Sequence, residues 1–175
     1  MSKGLTHVYY GYGKGKTTAA LGLALRASGC GKNVVIVQFL KDANTGELCN
    51  LKILPGVTVL RGTAAKKFVR DMTPDELTET KRIQNDHLMK ALSLVEAGGV
   101  DLLILDEALD AYQLGLLDEA LFLELVFNKP SSLELVITGH RPDEKIMAAA
   151  DYVTEMVKHK HPFDNGIKAR RGVEF

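Results

Sequence analysis

Two rhythms of apolar residues alternate along the chain. Short aliphatic or β-branched runs stand at residues 5–10, 34–37, 57–60, 102–105, 133–138 and 152–157. Their length and flanking glycine or proline residues predict strands. Between them, apolar residues recur three and four apart. Residues 17–28 place Leu21, Ala24, Leu25 and Ser28 on one stripe, which predicts a helix laid on a sheet and stopped by Gly29 and Gly31. Thr73-Pro74-Asp75-Glu76 offers an N-cap, a proline at the first helical position and a capping box. The helix it opens should bury Leu88, Ala91, Leu92 and Val95 and stop at Gly98-Gly99, with His87 beside the stripe. Residues 117–127 predict an apolar helix ended by Asn128-Lys129-Pro130, and 143–150 a short one. Val34-Val35-Ile36-Val37 has no polar alternate, as expected of a central parallel strand covered on both faces. Residues 42–46 read as a polar loop and Pro55-Gly56 as a turn. Residues 62–72 form a basic, irregular stretch around Phe68, with the length of a binding loop. This alternation predicts an α/β fold, a mostly parallel sheet with helices on both faces and right-handed crossovers.

The 175 residues suggest one domain, 1–175. The formal net charge is +0, so no global field draws the chain to nucleic acid or to an anionic membrane. No apolar run approaches the roughly 20 residues of a membrane span. Met1 to Thr6 lack the apolar core of a signal peptide, so a cytoplasmic location is expected. Cys30 and Cys49 form no C-x-x-C and read as two unpaired thiols.

The chemistry enters with Tyr10-Gly11-Tyr12-Gly13-Lys14-Gly15-Lys16-Thr17-Thr18, between the first strand and the first helix. Glycines let backbone N–H groups turn around an anion, and a helix N-terminus adds its own. Lys16 supplies a cation for the outer phosphates, and the Thr17 hydroxyl suits a phosphate-bridging Mg²⁺. The stretch departs from a strict Walker A, because Tyr10 stands where the first glycine belongs and Gly11 and Gly13 follow it. A ligand-free glycine turn is the plain alternative. Leu102-Leu103-Ile104-Leu105-Asp106-Glu107 runs four aliphatic residues into two acids, the shape of a metal-binding strand tip. One acid would hold Mg²⁺, and the other would orient water or join the metal; otherwise both merely cap the next helix. Arg26 falls on the exposed side of its helix, Arg141 follows the strand at 133–138, and His159 and His161 lack metal-ligand partners. The two motifs predict a P-loop, RecA-like nucleotide-binding fold. Chemistry alone supports a Mg²⁺-dependent enzyme acting on ATP or GTP, with an ATPase fitting better than a kinase. A non-catalytic nucleotide carrier stays open.

The chain resembles the P-loop ATP:corrinoid adenosyltransferases, cytosolic enzymes of adenosylcobalamin synthesis. The likeness runs from Val8 to Phe175. It is carried by Gly11 to Ala20, Val37-Gln38-Phe39-Leu40-Lys41, Gly46-Glu47, Leu105-Asp106-Glu107, Gly115-Leu116-Leu117, Ile137-Thr138-Gly139, Ala150 to Met156, Lys160 to Ala169 and Gly172-Val173-Glu174-Phe175. The resemblance implies that cobalt(I) of a reduced corrinoid attacks the 5′ carbon of ATP and that triphosphate leaves whole. ATP would lie reversed along the loop, held by Gly11, Tyr12, Gly13, Lys14, Gly15, Lys16, Thr17 and Thr18, with Tyr12 and Arg26 near the nucleoside. Lys16 and Glu107 would be catalytic. Thr17 and Glu107 would meet Mg²⁺, with Asp106 behind them. The resemblance assigns Phe68, Asp164 and Lys168 to the corrinoid, and it implies a flavoprotein reductase and a homodimer. The loop reads Lys67-Phe68-Val69-Arg70-Asp71 where better-known members carry Gly-Phe-Thr-Trp-Asp, and Arg170 stands for a common glutamine. The first strand begins too near Met1 for the N-terminal helix that covers the corrinoid in some members.

Overall fold

The computed structural model describes residues 3–41, 45–63 and 67–174. Six strands form one sheet in the order β3-β2-β4-β5-β1-β6, and every pairing is parallel. They are β1 (Thr6–Tyr10), β2 (Val34–Gln38), β3 (Val57–Arg61), β4 (Leu102–Asp106), β5 (Glu134–Thr138) and β6 (Tyr152–Glu155). The helices are α1 (Lys16–Gly29), α2 (Gly46–Leu51), α3 (Pro74–Glu96), α4 (Ala108–Gln113), α5 (Glu119–Asn128) and α6 (Glu144–Ala149). This is the α/β architecture with helices on both faces that the alternation predicts.

Strand side chains alternate between two apolar clusters. Val35, Val37, Leu103, Leu105, Leu135 and Ile137 meet α3, α4, α5 and α6 on one face. Val34, Ile36, Leu102, Ile104 and Val136 meet α1 and Leu51 of α2 on the other. Because β2 and β4 are buried on both faces at all five positions, they read as unbroken apolar runs. β6 is an edge strand with all four residues exposed.

The structure corrects four expectations. The buried stripe of α1 is Ala20, Ala24, Ala27 and Ser28, and Leu25 is 59% exposed. Small side chains let that helix sit close to the sheet, so residue size misled the assignment. The stripe of α3 extends through polar Thr80 and Gln84, and Leu92 is only half-buried. α4 directly follows β4, where a helix entered only as the alternative to a metal role for the two acids. Gly46, expected in a polar loop, opens α2; the rest of that loop, 42–44, lies outside the described residues. The capping box at Thr73 is formed, with Thr73 accepting from the Glu76 N–H and Glu76 from the Thr73 N–H.

Candidate active site

The carboxyl ends of a parallel sheet collect the residues that follow each strand, and ligands gather there. β1 delivers the glycine loop, β2 delivers Lys41, β4 delivers Glu107, and β5 delivers Gly139 and His140. A cavity of about 320 Å³ lies among them, lined by Tyr12, Gly13, Lys14, Gly15, Lys16, Thr17, Thr18, Glu107, Asp110, Thr138 and His140. His161, Val173 and Glu174 of the tail also line it.

The loop is held in shape before any ligand arrives. The Gly11 N–H donates to His140 O (3.1 Å) and the Gly13 N–H to Met156 O (2.6 Å). A Cβ at Gly13 would lie 2.6 Å from Met156 O, so the chain leaving β6 requires a glycine there. Gly15 has room for a side chain, but its φ of 117° favours glycine. The inward-facing donors therefore begin after Gly13. The first helical bond of α1 runs from the Ala19 N–H to Gly15 O, so the N–H groups of Lys16, Thr17 and Thr18 have no partner within the helix. They sit at the positive end of its dipole.

Asp106 is fully buried and receives four donors. Thr17 Oγ1 (2.9 Å) and Thr138 Oγ1 (2.7 Å) donate to Oδ1. Gln38 Nε2 (3.3 Å) and Lys41 Nζ (2.6 Å) donate to Oδ2. Gln38 is itself aimed by Arg61, whose guanidinium donates to its Oε1 at 2.7 Å. With its lone pairs so engaged, Asp106 acts as the post that positions Thr17 and Lys41.

Glu107 is different. It is half-buried in the left-handed region, at φ 60° and ψ 19°, a conformation that costs a non-glycine residue on the order of 1–3 kcal/mol. Its N–H donates to Thr138 Oγ1 (2.9 Å), which holds the turn. Burial pushes its carboxyl above the usual carboxylate range, Lys41 opposes this, and Asp106 and Asp110 add to it. Thr17 and Glu107 thus present hard oxygen donors beside the phosphate cavity, the kind Mg²⁺ takes one or two at a time while phosphates and water complete its shell. Among the described residues no group of three or more His, Cys, Asp or Glu converges on one point, so a metal here would need the nucleotide's oxygens.

Lys16 Nζ donates to Gly11 O (2.7 Å) and Gly13 O (3.0 Å). Burial lowers its pKa, while the carboxylates of Asp110, Glu107 and Asp106 act the other way. Tyr12 is 56% exposed, tilted against His140 with ring centroids 5.1 Å apart, and Arg141 lies over its ring at 5.4 Å. Arg141 therefore faces Tyr12 and is not among the cavity's lining residues. Arg26 is exposed in the last turn of α1, nine residues beyond Thr17 and about 14 Å along the axis, outside the cavity.

Phe68 is 73% exposed beside a second cavity of about 410 Å³ lined by Leu40, Val69, Met72, Leu114 and Glu107, among others. Residues 64–66 of this loop lie outside the described residues, and Val69–Asp71 form a single 3₁₀ turn. Asp164 pairs on the surface with Lys158 (2.9 Å), and Lys168 lines a small pocket with Phe163, Ile167 and Arg170. Neither reaches the main cavity. Sequence reasoning placed Gln38, Lys41 and Thr138 only within the family likeness, and it gave no role to them or to Asp110 and His140. Lys41 carried one signal, its place just beyond a buried strand.

The ATP:corrinoid adenosyltransferase BtuR/CobO/CobP family model matches residues 2–175. The corrinoid adenosyltransferase of Pseudomonas aeruginosa is 34% identical over 174 residues, covering 99% of this chain and 84% of that protein. The corrinoid adenosyltransferase of Escherichia coli (strain K12) is 33% identical over 175 residues, 99% of this chain and 86% of its own length. With a phosphate loop, an acid-tipped strand and a match of this extent, the chain belongs to the ATP:corrinoid adenosyltransferase family.

Proposed function

We propose that this protein transfers the 5′-deoxyadenosyl group of ATP to the cobalt(I) of a reduced corrinoid, in the making or salvage of adenosylcobalamin. The observation that carries the reading is the position of Glu107. It lines the phosphate cavity and also the groove beside Phe68, so the two cavities share one lining residue. A nucleotide on the loop and a broad, partly apolar substrate against Phe68 would meet there. Cobalt(I) supplies the electron pair of the new cobalt–carbon bond. The C5′–O bond breaks, and its electrons leave with triphosphate.

The protein's work is then electrostatic. The unpartnered N–H groups of Lys16, Thr17 and Thr18 face a leaving group whose charge grows as the bond breaks. Lys16 leaves its loop carbonyls for the phosphates. Thr17 and Glu107 would hold Mg²⁺, which supplies further charge stabilisation to triphosphate when bound. Tyr12, propped by His140 and Arg141, offers a flat face at the cavity mouth for the nucleoside. Asp164 and Lys168 belong to the proposed corrinoid side, on the tail that closes over the loop. Three further parts come with the reading. A flavoprotein reductase delivers the electron that makes cobalt(I). A homodimer would cover exposed Tyr152, Val153 and Val157 around the free edge of β6. The location is cytoplasmic, and no helix among the described residues is long and apolar enough to cross a membrane.

Protein, MgATP and chemically reduced cobalamin should yield a light-sensitive cobalt–carbon product and triphosphate in equal amounts. ADP formed at a comparable rate without corrinoid would instead mark an ATPase, and tight binding without turnover a carrier.

Phe68→Ala tests the corrinoid face. Phe68 carries Arg70 over its ring at 5.3 Å and packs little against the core, so its loss should barely move the melting temperature. ATP affinity should hold, while adenosylation started from cobalt(II) slows more than adenosylation from pre-reduced cobalt(I). Equal loss from both cobalt states together with a lower melting temperature would make Phe68 a loop anchor only.

A further inference from the structure

We propose that Lys41 is a tethered cation that fills the divalent-metal position between Thr17 and Glu107 while nucleotide is absent, and yields it when metal and nucleotide bind together. Its Nζ lies 2.6 Å from Asp106 Oδ2, 3.1 Å from Thr17 Oγ1 and 3.5 Å from Glu107 Oε1. Thr17 and Glu107 are the residues that would hold the metal, with Asp106 behind them. Lys16, the other nearby ammonium, is turned away onto Gly11 O and Gly13 O, so Lys41 is the cation paired with both acids.

The backbone places Lys41 there deliberately. Phe39 is fully buried and its N–H donates to Asp106 O (3.0 Å). Leu40 follows in the left-handed region at φ 59°, a conformation unfavourable for a leucine. That turn is held by buried Gln84, which accepts from the Leu40 N–H (3.2 Å) and donates to Gly62 O (2.8 Å). Leu40 and Glu107, the two non-glycine residues at positive φ among those described, stand at the tips of adjacent strands β2 and β4. Both strained turns converge on one ion pair. Structural hydrogen bonding alone does not require it, because Asp106 already receives Thr17, Thr138 and Gln38. What Lys41 adds is charge.

A divalent ion on Thr17 and Glu107 cannot share this space with an ammonium. Metal without nucleotide must push Lys41 off Thr17 and Glu107 toward solvent, against the charge of the incoming ion. Metal arriving with nucleotide gives the freed ammonium a polyphosphate partner on the same side of the site. The consequence is ordered loading: the empty enzyme resists metal alone. This inference rests on the assignment of Thr17 and Glu107 to the metal.

The test uses Mn²⁺ with the full chain, reading free Mn²⁺ by its electron paramagnetic resonance signal. Without nucleotide, Lys41→Gln should bind Mn²⁺ about tenfold tighter than the unaltered protein or more, since a competing charge at contact distance is gone. Lys41→Arg, which keeps the charge, should stay weak, and adding Glu107→Gln to Lys41→Gln should cancel the gain. A folded Lys41→Gln variant that binds Mn²⁺ within twofold of the unaltered protein overturns the inference. A second measurement needs no variant: saturating Mn²⁺ without nucleotide should speed acylation of the Lys41 amine in the unaltered chain, read by peptide mass. Unchanged Lys41 acylation also overturns it. If Glu107→Gln leaves binding of the Mn²⁺–ATP complex untouched, the metal assignment itself fails and the inference falls with it. If Glu107→Gln weakens that complex while Lys41→Gln gains nothing, the Lys41 inference alone has failed.

Discussion

Lys16→Ala should lower the rate of adenosyl transfer about 10²–10³-fold, the usual loss when one preorganised, charge-assisted contact to a developing anion is removed. Lys16 touches neither apolar cluster, and its ammonium spends the ligand-free state on Gly11 O and Gly13 O. Its removal should therefore leave the melting temperature close to that of the unaltered protein. The loss should fall mainly on kcat, because negative charge on the triphosphate is greatest as the C5′–O bond breaks. Thr17→Ala should cost a comparable factor in rate. It also deletes a part-buried hydrogen bond to Asp106, worth about 0.5–1.5 kcal/mol, so a melting point lower by a few degrees should accompany it. Initial rates of cobalt–carbon bond formation and thermal unfolding of both variants check this. Near-normal rates in both would overturn the role given to the loop.

Much of this site was legible because its signals are local. The glycine loop shows its role within nine consecutive residues, and the acid pair is announced by the four aliphatic residues before it. The capping box at Thr73 likewise needs only four positions. What escaped depends on which strands become neighbours. Gln38, Lys41 and Thr138 all point to Asp106, yet they lie at the ends of β2 and β5, 68, 65 and 32 positions away in sequence. Their meeting follows from the order β2-β4-β5, which alternation of strand and helix does not specify. The short helices α2 and α4 went unplaced for another reason. Each spans six residues, under two turns, too few to display a 3.6-residue period. Leu25 was misplaced because a large apolar side chain was preferred over Ala27, whereas the close approach of α1 to the sheet favours the smaller one. Gln84 is polar, and nothing near it in sequence signals its burial. It is buried because Leu40 and Gly62 supply both its bonds, a pairing across 44 and 22 positions.

Asp106→Ala should be the most damaging single change, lowering stability by about 3–5 kcal/mol as well as abolishing turnover. The carboxylate is fully buried and faces Lys41, itself only 17% exposed in its side chain. Deleting one member of such a pair leaves the other charge uncompensated, which is where that cost arises. Two hydroxyls and the Gln38 amide lose their acceptor at the same time. For a chain of this size the melting temperature should fall by about 10 °C. Asp106→Asn separates the two contributions. An asparagine fits the same space, and its amide can donate to the hydroxyl oxygens of Thr17 and Thr138, both of which can rotate to accept. Its carbonyl still accepts from Lys41 and Gln38. Most of the packing and hydrogen bonding then survives, and the melting temperature should recover at least half of the loss. Turnover should not recover, because the Thr17 hydroxyl must then accept from the amide, losing a lone pair it would offer the metal, and the carboxylate charge behind the metal is gone. An Asp106→Asn enzyme working at the normal rate would show that Asp106 serves the site by shape alone. An Asp106→Ala protein that melts with the unaltered one would show that the buried charge pair contributes nothing to the fold.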